Sequence, residues 1–390
     1  MRKIYLTITP FFPEPGVFRG PYVLDQVKAI ERNSQYQVVV LKPRCFWSKE
    51  KDYEIDGVKV FRFNSFAIPS NLWPNKFCAW LTARSMLKKL KEINVSLSDI
   101  AIAHAHVAEL GSNVNYLKEH DSNILTIIQH HGFDVMSVSN GRLANCAFHK
   151  RHCIKYGVDI CNKADINVGV SGKTLDYVRR QPLISIKNEY ILYNGVDTTI
   201  FNKKTSRNDS AKNHIFTIGC VGNFWKLKDQ MTLIKAAELL VNNGTTDFKV
   251  IFVGSGYTKE ECIEYIEKNK IGAYFEFRKE VMHDMLPSFY SSLDLFVLPS
   301  YWEAFGCVYT EAFACGVPFV GVKGQGISEL IPKDDIDKWL IKKGDYRSLS
   351  KIIHNVKNGV AGKQELTVPY DIDELIGSFI DYSNKILWKK

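Results

Sequence analysis

The sequence predicts an α/β protein built from two doubly wound domains, and three observations carry this prediction. Short, continuous apolar runs alternate with helical patterns along the chain, which is typical of parallel strands covered by helices on both faces. A polar segment, KKTSRNDSAKN at 203–213, interrupts this alternation, which then resumes. The length of 390 residues is also more than one ordinary core accommodates.

The first half opens with MRKIYLTITPFFPEPG, whose apolar run predicts a buried strand. Pro10 and Pro13 break this run early, and it lacks a small-residue cleavage site, so we do not interpret it as a signal peptide. A predicted helix begins at Pro21. The predicted strands of this half are KIYLTI, YQVVVL, DIAIAH, NILTIIQ, ADINVGV and YILY.

The second half repeats the pattern. Its predicted strands are HIFTIGCVG, FKVIFVG, YFEF, DLFVLPS, VPFVGV and KWLIK. The tail predicts an amphipathic helix. The apolar positions of this helix are Ile372, Leu375, Ile376, Phe379 and Ile380. We therefore expect a first domain over residues 1–200, a linker over 201–213 and a second domain over 214–372.

The charge of the chain is positive and unevenly distributed. The net charge is +9, and residues 1–197 carry 26 Lys and Arg against 18 Asp and Glu, whereas the remainder carries 25 against 24. Either the first half meets an anionic partner or its surface is simply well solvated. The excess is diffuse and no recognition-helix or RNA-binding signature is present, so we do not expect a nucleic acid partner.

Nine cysteines without closely spaced pairs favour free thiols in a reducing compartment, and hence a cytoplasmic location. The segment CAFHKRHC contains Cys146, His149, His152 and Cys153. On a helix, the first, second and fourth of these share a face, which is a way to present ligands to zinc. One straight helix does not surround an ion tetrahedrally, so we favour a basic helix with incidental thiols.

The segment PSYWEAFGCVYTEAFACGVPF at 299–319 contains two candidate functional carboxylates. Ligands of doubly wound folds bind beyond the carboxyl ends of the strands, and Glu303 follows the strand DLFVLPS there. A helix predicted to begin near Cys307 would offer the backbone N–H groups of Phe305, Gly306 and Cys307 to an anion or to sugar hydroxyls. Glu311, one turn into that helix, could accept both hydroxyls of a vicinal diol. The alternative is a capping acid and a solvated helix acid.

Two further loops are candidate anion sites. Lys226 and Lys228 follow the strand HIFTIGCVG, where an ammonium group could neutralise a departing diphosphate. Gly20 lies before the helix at Pro21 and leaves backbone N–H groups open to a phosphate. The loop GSGY after FKVIFVG lacks the third glycine of a dinucleotide fingerprint, which disfavours nicotinamide chemistry.

The segment IIQHHGFDVM ends another strand with His131 and Asp134 nearby. A histidine at this place is a candidate hydrogen-bond donor or base for a sugar hydroxyl, although a structural role is the commoner one. His104 and His106 are given the structural interpretation. We find no Ser-His-Asp set and no Asp-x-Asp pair suited to hold Mg²⁺, so we expect neither a metal nor another cofactor.

Taken together, these loops resemble the retaining glycosyltransferases of family 4, which have the GT-B fold. The segment at 299–319 resembles the Glu-x7-Glu motif of this family, GQGISEL resembles the Gly-Gly-Ile-x-Glu that follows, and QHHGFDV resembles His-Gly-x-Asp-Val. ADINVGVSGKTLDYV and YILYNGVDTTIF resemble two segments that end its first domain. The positions matching the Glu-x7-Glu motif are Glu303, Phe305, Gly306, Glu311, Ala312, Ala314, Gly316 and Pro318.

The resemblance implies a nucleotide-sugar bound in a cleft between the two domains, mainly by the second. It implies that Glu311 holds the ribose, and that Glu303 and the amides at Phe305 and Gly306 hold the donor sugar. Lys228 would face the diphosphate. Retention without a suitably placed nucleophile implies a front-face displacement, in which the leaving phosphate oxygen helps to deprotonate the acceptor.

The resemblance also assigns residues outside this motif. It implies that Gly20 admits the diphosphate, that His131 lies beside the transferred sugar together with Asp134, and that the base lies near Val281. The final helix, residues 373–390, would return to the first domain. We take His131, Lys228 and Glu303 as the candidate catalytic residues and the others as donor-binding.

One departure from the family concerns the phosphate loop. The family commonly has an arginine directly after the glycine of this loop, and here Asn223 follows Gly222. The substitution removes one fixed cation, for which Lys226 could compensate. An uncompensated loss would slow the reaction by ~10²-fold or more.

The acceptor is expected to depend on the first domain. The segment at 66–91 mixes aromatic residues with Lys and Arg, which suits a helix lying on an anionic bilayer, or equally a helix with its aromatics in the core and its lysines in water. The implied acceptor is a lipid-linked saccharide of bacterial surface-polysaccharide assembly. The alternatives are a nucleotide-sugar 2-epimerase of the same fold and a catalytically impaired nucleotide-sugar-binding protein.

Overall fold

The structure is a computed structural model that describes residues 2–15, 20–66, 75–132, 146–203 and 215–390. The chain divides into two compact units. The first unit comprises Met1–Tyr193 together with Ile372–Lys390, and the second comprises Asn194–Asp371. Each unit is an α/β fold around one sheet, which confirms the predicted fold class.

The first unit has an eight-stranded sheet within the described residues, in the order β3-β4-β2-β1-β5-β6-β7-β8. Its strands are β1 (Ile4–Ile8), β2 (Gln37–Cys45), β3 (Tyr53–Ile55), β4 (Val58–Ser65), β5 (Ile100–His106), β6 (Leu125–His130), β7 (Ile166–Gly169) and β8 (Glu189–Ile191). The helices that precede the second unit are α1 (Pro21–Asn33), α2 (Lys76–Glu92), α3 (Ala108–His120), α4 (Ala147–Lys163) and α5 (Gly172–Arg179). Helix α1 begins at Pro21, as predicted.

One hairpin was not among the predicted strands. Strands β3 and β4 pair antiparallel, whereas the other neighbouring strands of this sheet pair in parallel. The hairpin turns at Asp56 and Gly57, both with positive φ. An Asp-Gly pair is a strong hairpin signal. In the run VKVFRF after it, Lys59 and Arg62 interrupt the apolar residues, unlike the continuous apolar runs from which the other strands were predicted.

The second unit has a six-stranded sheet within the described residues, in the order β11-β10-β9-β12-β13-β14, and every neighbouring pair is parallel. Its strands are β9 (Phe216–Val221), β10 (Phe248–Val253), β11 (Phe275–Arg278), β12 (Leu295–Val297), β13 (Phe319–Val322) and β14 (Leu340–Ile341). Its helices are α6 (Gln230–Asn242), α7 (Lys259–Lys268), α8 (Leu286–Tyr290), α9 (Cys307–Ala314), α10 (Ile336–Trp339) and α11 (Tyr346–Lys357).

The final helix, α12 (Ile372–Leu387), belongs to the first unit, as the resemblance implied. It packs beside α1, where Arg32 donates to Asp373 at 2.8 Å. The predicted apolar positions form its buried face, except that Leu375 is only partly buried. This face covers the core of the first sheet around Tyr5 and Ile102. Burial of such a stripe against a sheet is the main force that holds an amphipathic helix in place.

Candidate functional site

The candidate site of the second unit is built from loops that follow its central strands. Because all strands of this sheet are parallel, the loops after β9, β10, β12 and β13 lie at the same edge. The loop after β12 carries Glu303, the loop after β9 carries Lys228, and the loop after β13 carries Gln325. Side-chain contacts join these three residues directly.

Glu303 is buried and held on several sides. Its side chain is 11% exposed, and its Oε1 accepts from Lys228 Nζ at 2.5 Å and from the Ser300 hydroxyl at 2.8 Å. Its backbone N–H donates to the side-chain oxygen of Gln325 at 2.8 Å. The structure thus brings together two residues, Lys228 and Glu303, that stand 75 positions apart in the sequence.

Helix α9 begins at Cys307, close to the predicted start, and Gly306 is its N-cap. Gly306 has φ 91°, and a Cβ there would lie 2.6 Å from the ring of Tyr309. Glycine is therefore required both by the backbone conformation and by the space available. Phe305 is buried, and the Tyr309 hydroxyl donates to the Leu298 carbonyl at 2.6 Å, which fixes the start of the helix on the preceding strand segment.

Glu311 lies one turn into α9 and is only 7% exposed. The Tyr290 hydroxyl donates to its Oε2 at 2.8 Å, and His283 Nε2 lies 3.8 Å from its Oε1. Burial, followed by the neighbouring Glu311, raises the pKa of Tyr290 well above its usual range, so the phenol remains a donor. The alternative of a solvated helix acid is therefore wrong for Glu311.

The loop after β9 packs closely against the loop after β10. A Cβ at Gly254 would lie 2.3 Å from the Gly222 carbonyl oxygen, and a Cβ at Gly256 would lie 2.5 Å from the Phe224 carbonyl oxygen. The Phe224 N–H also donates to the Ser255 carbonyl at 2.7 Å. The two glycines of GSGY thus allow close backbone contact that shapes the lysine loop.

The two lysines of this loop lie in a short 3-10 turn, Lys226–Lys228, before α6. Lys226 is exposed, and its backbone N–H lies 3.3 Å from the Tyr257 hydroxyl oxygen. Asn223 is also exposed, and its carbonyl accepts from Gln230 Nε2 at 3.0 Å. Of the two lysines, Lys228 contacts a candidate site carboxylate in the described structure.

Val281 is half-buried and lies between β11 and the 3-10 turn His283–Met285. This turn leads into α8, whose Tyr290 contacts Glu311. The segment proposed to meet the nucleotide base is therefore connected, over a few residues, to the side chain that orients Glu311.

In the first unit, Gly20 is buried, has φ 81° and caps α1. A Cβ at Gly20 would lie 2.6 Å from the Phe11 carbonyl oxygen, so this position also requires glycine. His131 directly follows β6, and its Nε2 lies 3.0 Å from His106 Nδ1. Asp134 lies outside the described residues.

Comparison with known proteins identifies the family. Residues 202–364 match the family model described as glycosyl transferases group 1. The matched region, residues 202–364, belongs to this glycosyltransferase family. Sulfoquinovosyl transferase SQD2 of Arabidopsis thaliana is 28% identical over 204 residues, which are 47% of this chain and 38% of that protein. Capsular polysaccharide biosynthesis glycosyltransferase CapM of Staphylococcus aureus is 23% identical over 193 residues, 48% of each chain.

These alignments span less than half the length of the two curated relatives. The structural likeness is more extensive. The crystal structure of Anabaena Alr3699/HepE in complex with UDP has a TM-score of 0.64 at 16% identity, over 99% of this chain and 98% of that one. At this identity the likeness concerns the fold, and it confirms the GT-B fold for this chain.

The cysteine–histidine segment of the first unit does not have the predicted geometry. His149 and Cys153 are buried on α4, with Cys153 Sγ 3.6 Å from His149 Nε2. Cys146 is instead exposed at the N-cap of this helix, where the backbone is extended, so the three residues do not share one helix face. Over the part of the chain that the structure describes, no group of three or more His, Cys, Asp or Glu residues is placed to hold a metal ion.

Helix α2 does not place its aromatic side chains in the core, which was one of the two interpretations that the sequence left open. Phe77 is 66% exposed and Trp80 is 40% exposed, so these aromatics are not in the core. Their rings stack at 6.0 Å, and the Arg84 guanidinium lies 4.8 Å from the Trp80 ring centroid. Residues 67–74, which include Leu72 and Trp73, lie outside the described residues.

Several residues that shape the site escaped the sequence analysis. They are Tyr290, Ser300, Tyr309 and Gln325. Tyr290 and Gln325 contact Glu311 and Glu303 from distant positions, and nothing in the local sequence marks such a partner. Ser300 contacts Glu303 within the same loop, and Tyr309 contacts the Leu298 carbonyl. Gln325 had the best signal, because GQGISEL was recognised as resembling a family segment.

Proposed function

We propose that this chain is a retaining hexosyltransferase that moves a sugar from a nucleotide-sugar, such as a UDP- or GDP-sugar, to a saccharide acceptor. The observation that carries the proposal is the contact between Lys228 and Glu303 at the carboxyl edge of the second sheet, on the same unit as the buried Glu311. A cation and two buried carboxylates suit a diphosphate flanked by two polyols. Family membership supports the same reaction class.

Glu303 and the start of α9 are proposed to hold the donor sugar. The Ser300 hydroxyl donates to the carboxylate, and the Gln325 side chain accepts from the Glu303 backbone N–H, so the residue does not need to reorganise when a hydroxyl arrives. Gly306 removes the side chain that would cover the helix start. Phe305, Gly306 and Cys307 provide backbone N–H groups at that helix end, where a negative charge or an oxygen lone pair is favoured.

Glu311 is proposed to accept the two hydroxyls of the ribose. Its burial strengthens each hydrogen bond, and Tyr290 occupies one lone pair of Oε2, which fixes the direction of the remaining ones. Val281 is proposed to lie beside the base, since the segment after it leads to Tyr290.

The diphosphate is proposed to lie against Lys228, with Lys226 as a second cation and with Asn223 and Gly20 as backbone contacts. Lys228 is 26% exposed, so its ammonium group has access to a ligand while it contacts Glu303. The exposed Lys226 replaces part of the charge that the family's usual arginine would supply. We propose that the reaction needs no metal ion.

The chemical step is proposed as a front-face displacement. The bond between the sugar C1 and the diphosphate oxygen breaks, and the acceptor hydroxyl oxygen attacks C1 from the same face. The acceptor proton passes to the leaving phosphate oxygen, whose charge Lys228 stabilises. His131 and Asp134 are proposed to hold the transferred sugar.

The acceptor is proposed to be a lipid-linked saccharide in the assembly of a bacterial surface polysaccharide. CapM, a relative over about half of its length, is a capsular polysaccharide glycosyltransferase. The exposed Phe77 and Trp80 beside Arg84 support contact with an anionic lipid surface, because apolar rings and a cation together suit a bilayer interface. We propose a cytoplasmic enzyme bound peripherally to the membrane. Among the described helices, none is both long and apolar enough to cross a bilayer.

A ligand panel followed by product analysis tests the donor proposal. Thermal shift with UDP, GDP and ADP and their common sugars should show one nucleotide class stabilising the protein, by ~2.7 kcal/mol at 100 times its Kd. The selected donor should then give nucleoside diphosphate and a glycosylated acceptor with retained anomeric configuration. No shift with any nucleotide would refute the donor site, and sugar conversion without an acceptor would favour the epimerase.

Liposome co-sedimentation tests the membrane proposal separately. Anionic vesicles should retain more protein than neutral vesicles, and the double variant Phe77→Ala/Trp80→Ala should lose this difference. Leu183→Ala is the matched control, because Leu183 is an exposed apolar residue of the same unit outside α2, at 83% exposure. Equal binding to both vesicle types by the wild-type protein would refute the proposal.

A further inference from the structure

Three histidines of the first unit form a connected group at the ends of two neighbouring strands. His104 and His106 lie on β5, and His131 directly follows β6. Strands β5 and β6 pair in parallel with His106 opposite Gln129, so the end of β5 lies beside the residue that follows β6. The stack begins at Tyr5, whose hydroxyl lies 2.7 Å from His104 Nδ1.

The contact between His106 and His131 has the geometry of a hydrogen bond. His106 Nδ1 lies 3.0 Å from His131 Nε2. The two ring planes differ by only 13°, and the ring centroids are 5.2 Å apart. Near-parallel rings side by side allow an N–H of one ring to point in its plane at the nitrogen lone pair of the other.

His106 is buried and stays neutral. It is 1% exposed, and the ring of His104 stacks on it at 4.5 Å. Burial, followed by the neighbouring His104 and His131, lowers the pKa of His106 well below its usual range. A neutral imidazole has one donor nitrogen and one acceptor nitrogen. The tautomer of His106 therefore decides whether His131 Nε2 donates or accepts, and with it the tautomer of His131.

The ring of His131 is also confined by aromatic neighbours. Phe11 meets it edge-on with centroids 6.1 Å apart, and Tyr22 lies at 5.3 Å. These contacts restrict where the ring can lie, but they do not select one tautomer or one of the two ring flips. An aromatic face does not distinguish a ring nitrogen from a ring carbon, whereas a hydrogen bond does. The hydrogen bond to His106 selects the flip that presents Nε2 and couples the tautomers of the two rings.

We propose that His106 is a positioning residue that fixes the ring orientation and tautomer of His131, so that His131 meets the donor sugar in one defined state. The proposal rests on the proposed function, in which His131 contacts the transferred sugar. His106 acts through His131 and touches no substrate. His106 is thus a buried residue at a strand end whose effect on function is exerted through His131.

The test compares two substitutions at one position. His106→Asn places an amide near the Nδ1 position and retains a hydrogen-bonding group, whereas His106→Leu removes it with similar bulk. We expect His106→Leu to lower kcat by about 10- to 100-fold, because a small misplacement of a substrate-positioning group has effects of this size. The affinity for the free nucleoside diphosphate, which lacks the sugar, should not change. His106→Asn should recover most of the lost kcat.

His104→Leu is the matched control, because His104 is buried in the same stack but has its hydrogen bond with Tyr5 rather than with His131. It should lower thermal stability as much as His106→Leu while leaving kcat within about threefold of wild type. Equal kcat losses in His104→Leu and His106→Leu, or no recovery in His106→Asn, would show a packing effect only and would overturn the proposal.

Nitrogen-15 NMR of the imidazole rings separates this proposal from the proposed function. The ¹⁵N shifts and two-bond ¹⁵N–¹H couplings report the tautomer of His131 without any substrate. We expect one tautomer in the wild type and in His106→Asn, and a mixture in His106→Leu. An unchanged tautomer in His106→Leu would overturn the positioning role even in an active enzyme. A tautomer change in a protein without transferase activity would support it while refuting the proposed function.

Discussion

Replacement of Lys228 by alanine is the most direct perturbation of the candidate site. The substitution removes the ammonium group that lies 2.5 Å from Glu303 Oε1 and that we propose to face the diphosphate. It leaves Glu303 with the Ser300 hydroxyl as a side-chain partner at that oxygen. Both the stability of the second unit and the rate of transfer should fall, for separate reasons.

The size of the stability effect follows from distance and burial. At 2.5 Å the attraction between two unit charges is ~6–7 kcal/mol for an effective dielectric constant of ~20. Desolvation of both groups offsets most of this, and the 26% exposure of the Lys228 side chain screens the pair further. We expect a net loss of ~2 kcal/mol in the free energy of unfolding, between the values typical of exposed and buried pairs.

The effect on catalysis should be larger. Loss of a preorganised group that stabilises charge developing in the transition state costs ~10²–10³ in rate, or ~2.7–4 kcal/mol. A free nucleoside diphosphate gains less from Lys228 than the departing group does, because part of the charge develops only as the sugar bond breaks. The Kd for the nucleoside diphosphate should therefore rise by only ~10-fold.

A double-mutant cycle measures the pair. Urea unfolding of Lys228→Ala, Glu303→Gln and the double variant gives the coupling energy, which should be ~1–2 kcal/mol. Lys338→Ala is the control, because Lys338, on α10 of the same unit, forms a more exposed pair with Asp335 at 2.6 Å. That variant should lose at most ~1 kcal/mol and keep its kcat/KM. A kcat/KM of Lys228→Ala within about threefold of wild type would refute the role of Lys228 at the diphosphate.

Three further predictions concern other contacts of the protein. Tyr290→Phe removes the buried donor to Glu311, so the free energy of unfolding should fall by ~1–3 kcal/mol and the Kd for the nucleoside diphosphate should rise ~10-fold. Tyr265→Phe is the matched control. It removes a donor to the partly buried carboxylate of Glu238 and should change the free energy of unfolding by only ~0.5 kcal/mol. Gly306→Ala combines positive φ with a contact to Tyr309, whereas Gly324→Ala has positive φ and open space; calorimetry should show a loss at Gly306 that exceeds the loss at Gly324 by ~1 kcal/mol or more. Burial, with a contribution from His131, lowers the pKa of His104 to about 3, so the unfolded chain binds this proton first as the pH falls. The contribution of His104 to the free energy of unfolding should be fully present above pH ~6.5 and should decline toward pH ~3 by up to ~1.4 kcal/mol per pH unit. Urea unfolding at a series of pH values should show a less steep pH dependence for His104→Gln.

Much of the fold could be predicted from local sequence. Continuous apolar runs correspond to parallel strands because both faces of such strands are buried, and β1, β5, β9 and β10 appear where those runs stand. The hairpin of β3 and β4 is not predicted because Lys59 and Arg62 interrupt the apolar residues of β4. The helix face proposed to be shared by Cys146, His149 and Cys153 is wrong at Cys146, since the helix begins at Ala147 and leaves this residue in extended backbone outside it. A shift of one residue at a helix end is below what a pattern resolves.

The sequence by itself determined the α/β class, the amphipathic character of the final helix and the identity of the candidate acids, because periodicity and residue type are local properties. Only the tertiary structure decided how those residues are used. It placed Lys228 on Glu303, Tyr290 on Glu311 and His106 on His131. Each of these contacts depends on how the strands are ordered and how the loops after them are packed, and on the burial that makes a polar contact strong. The sequence pattern specifies none of these pairs.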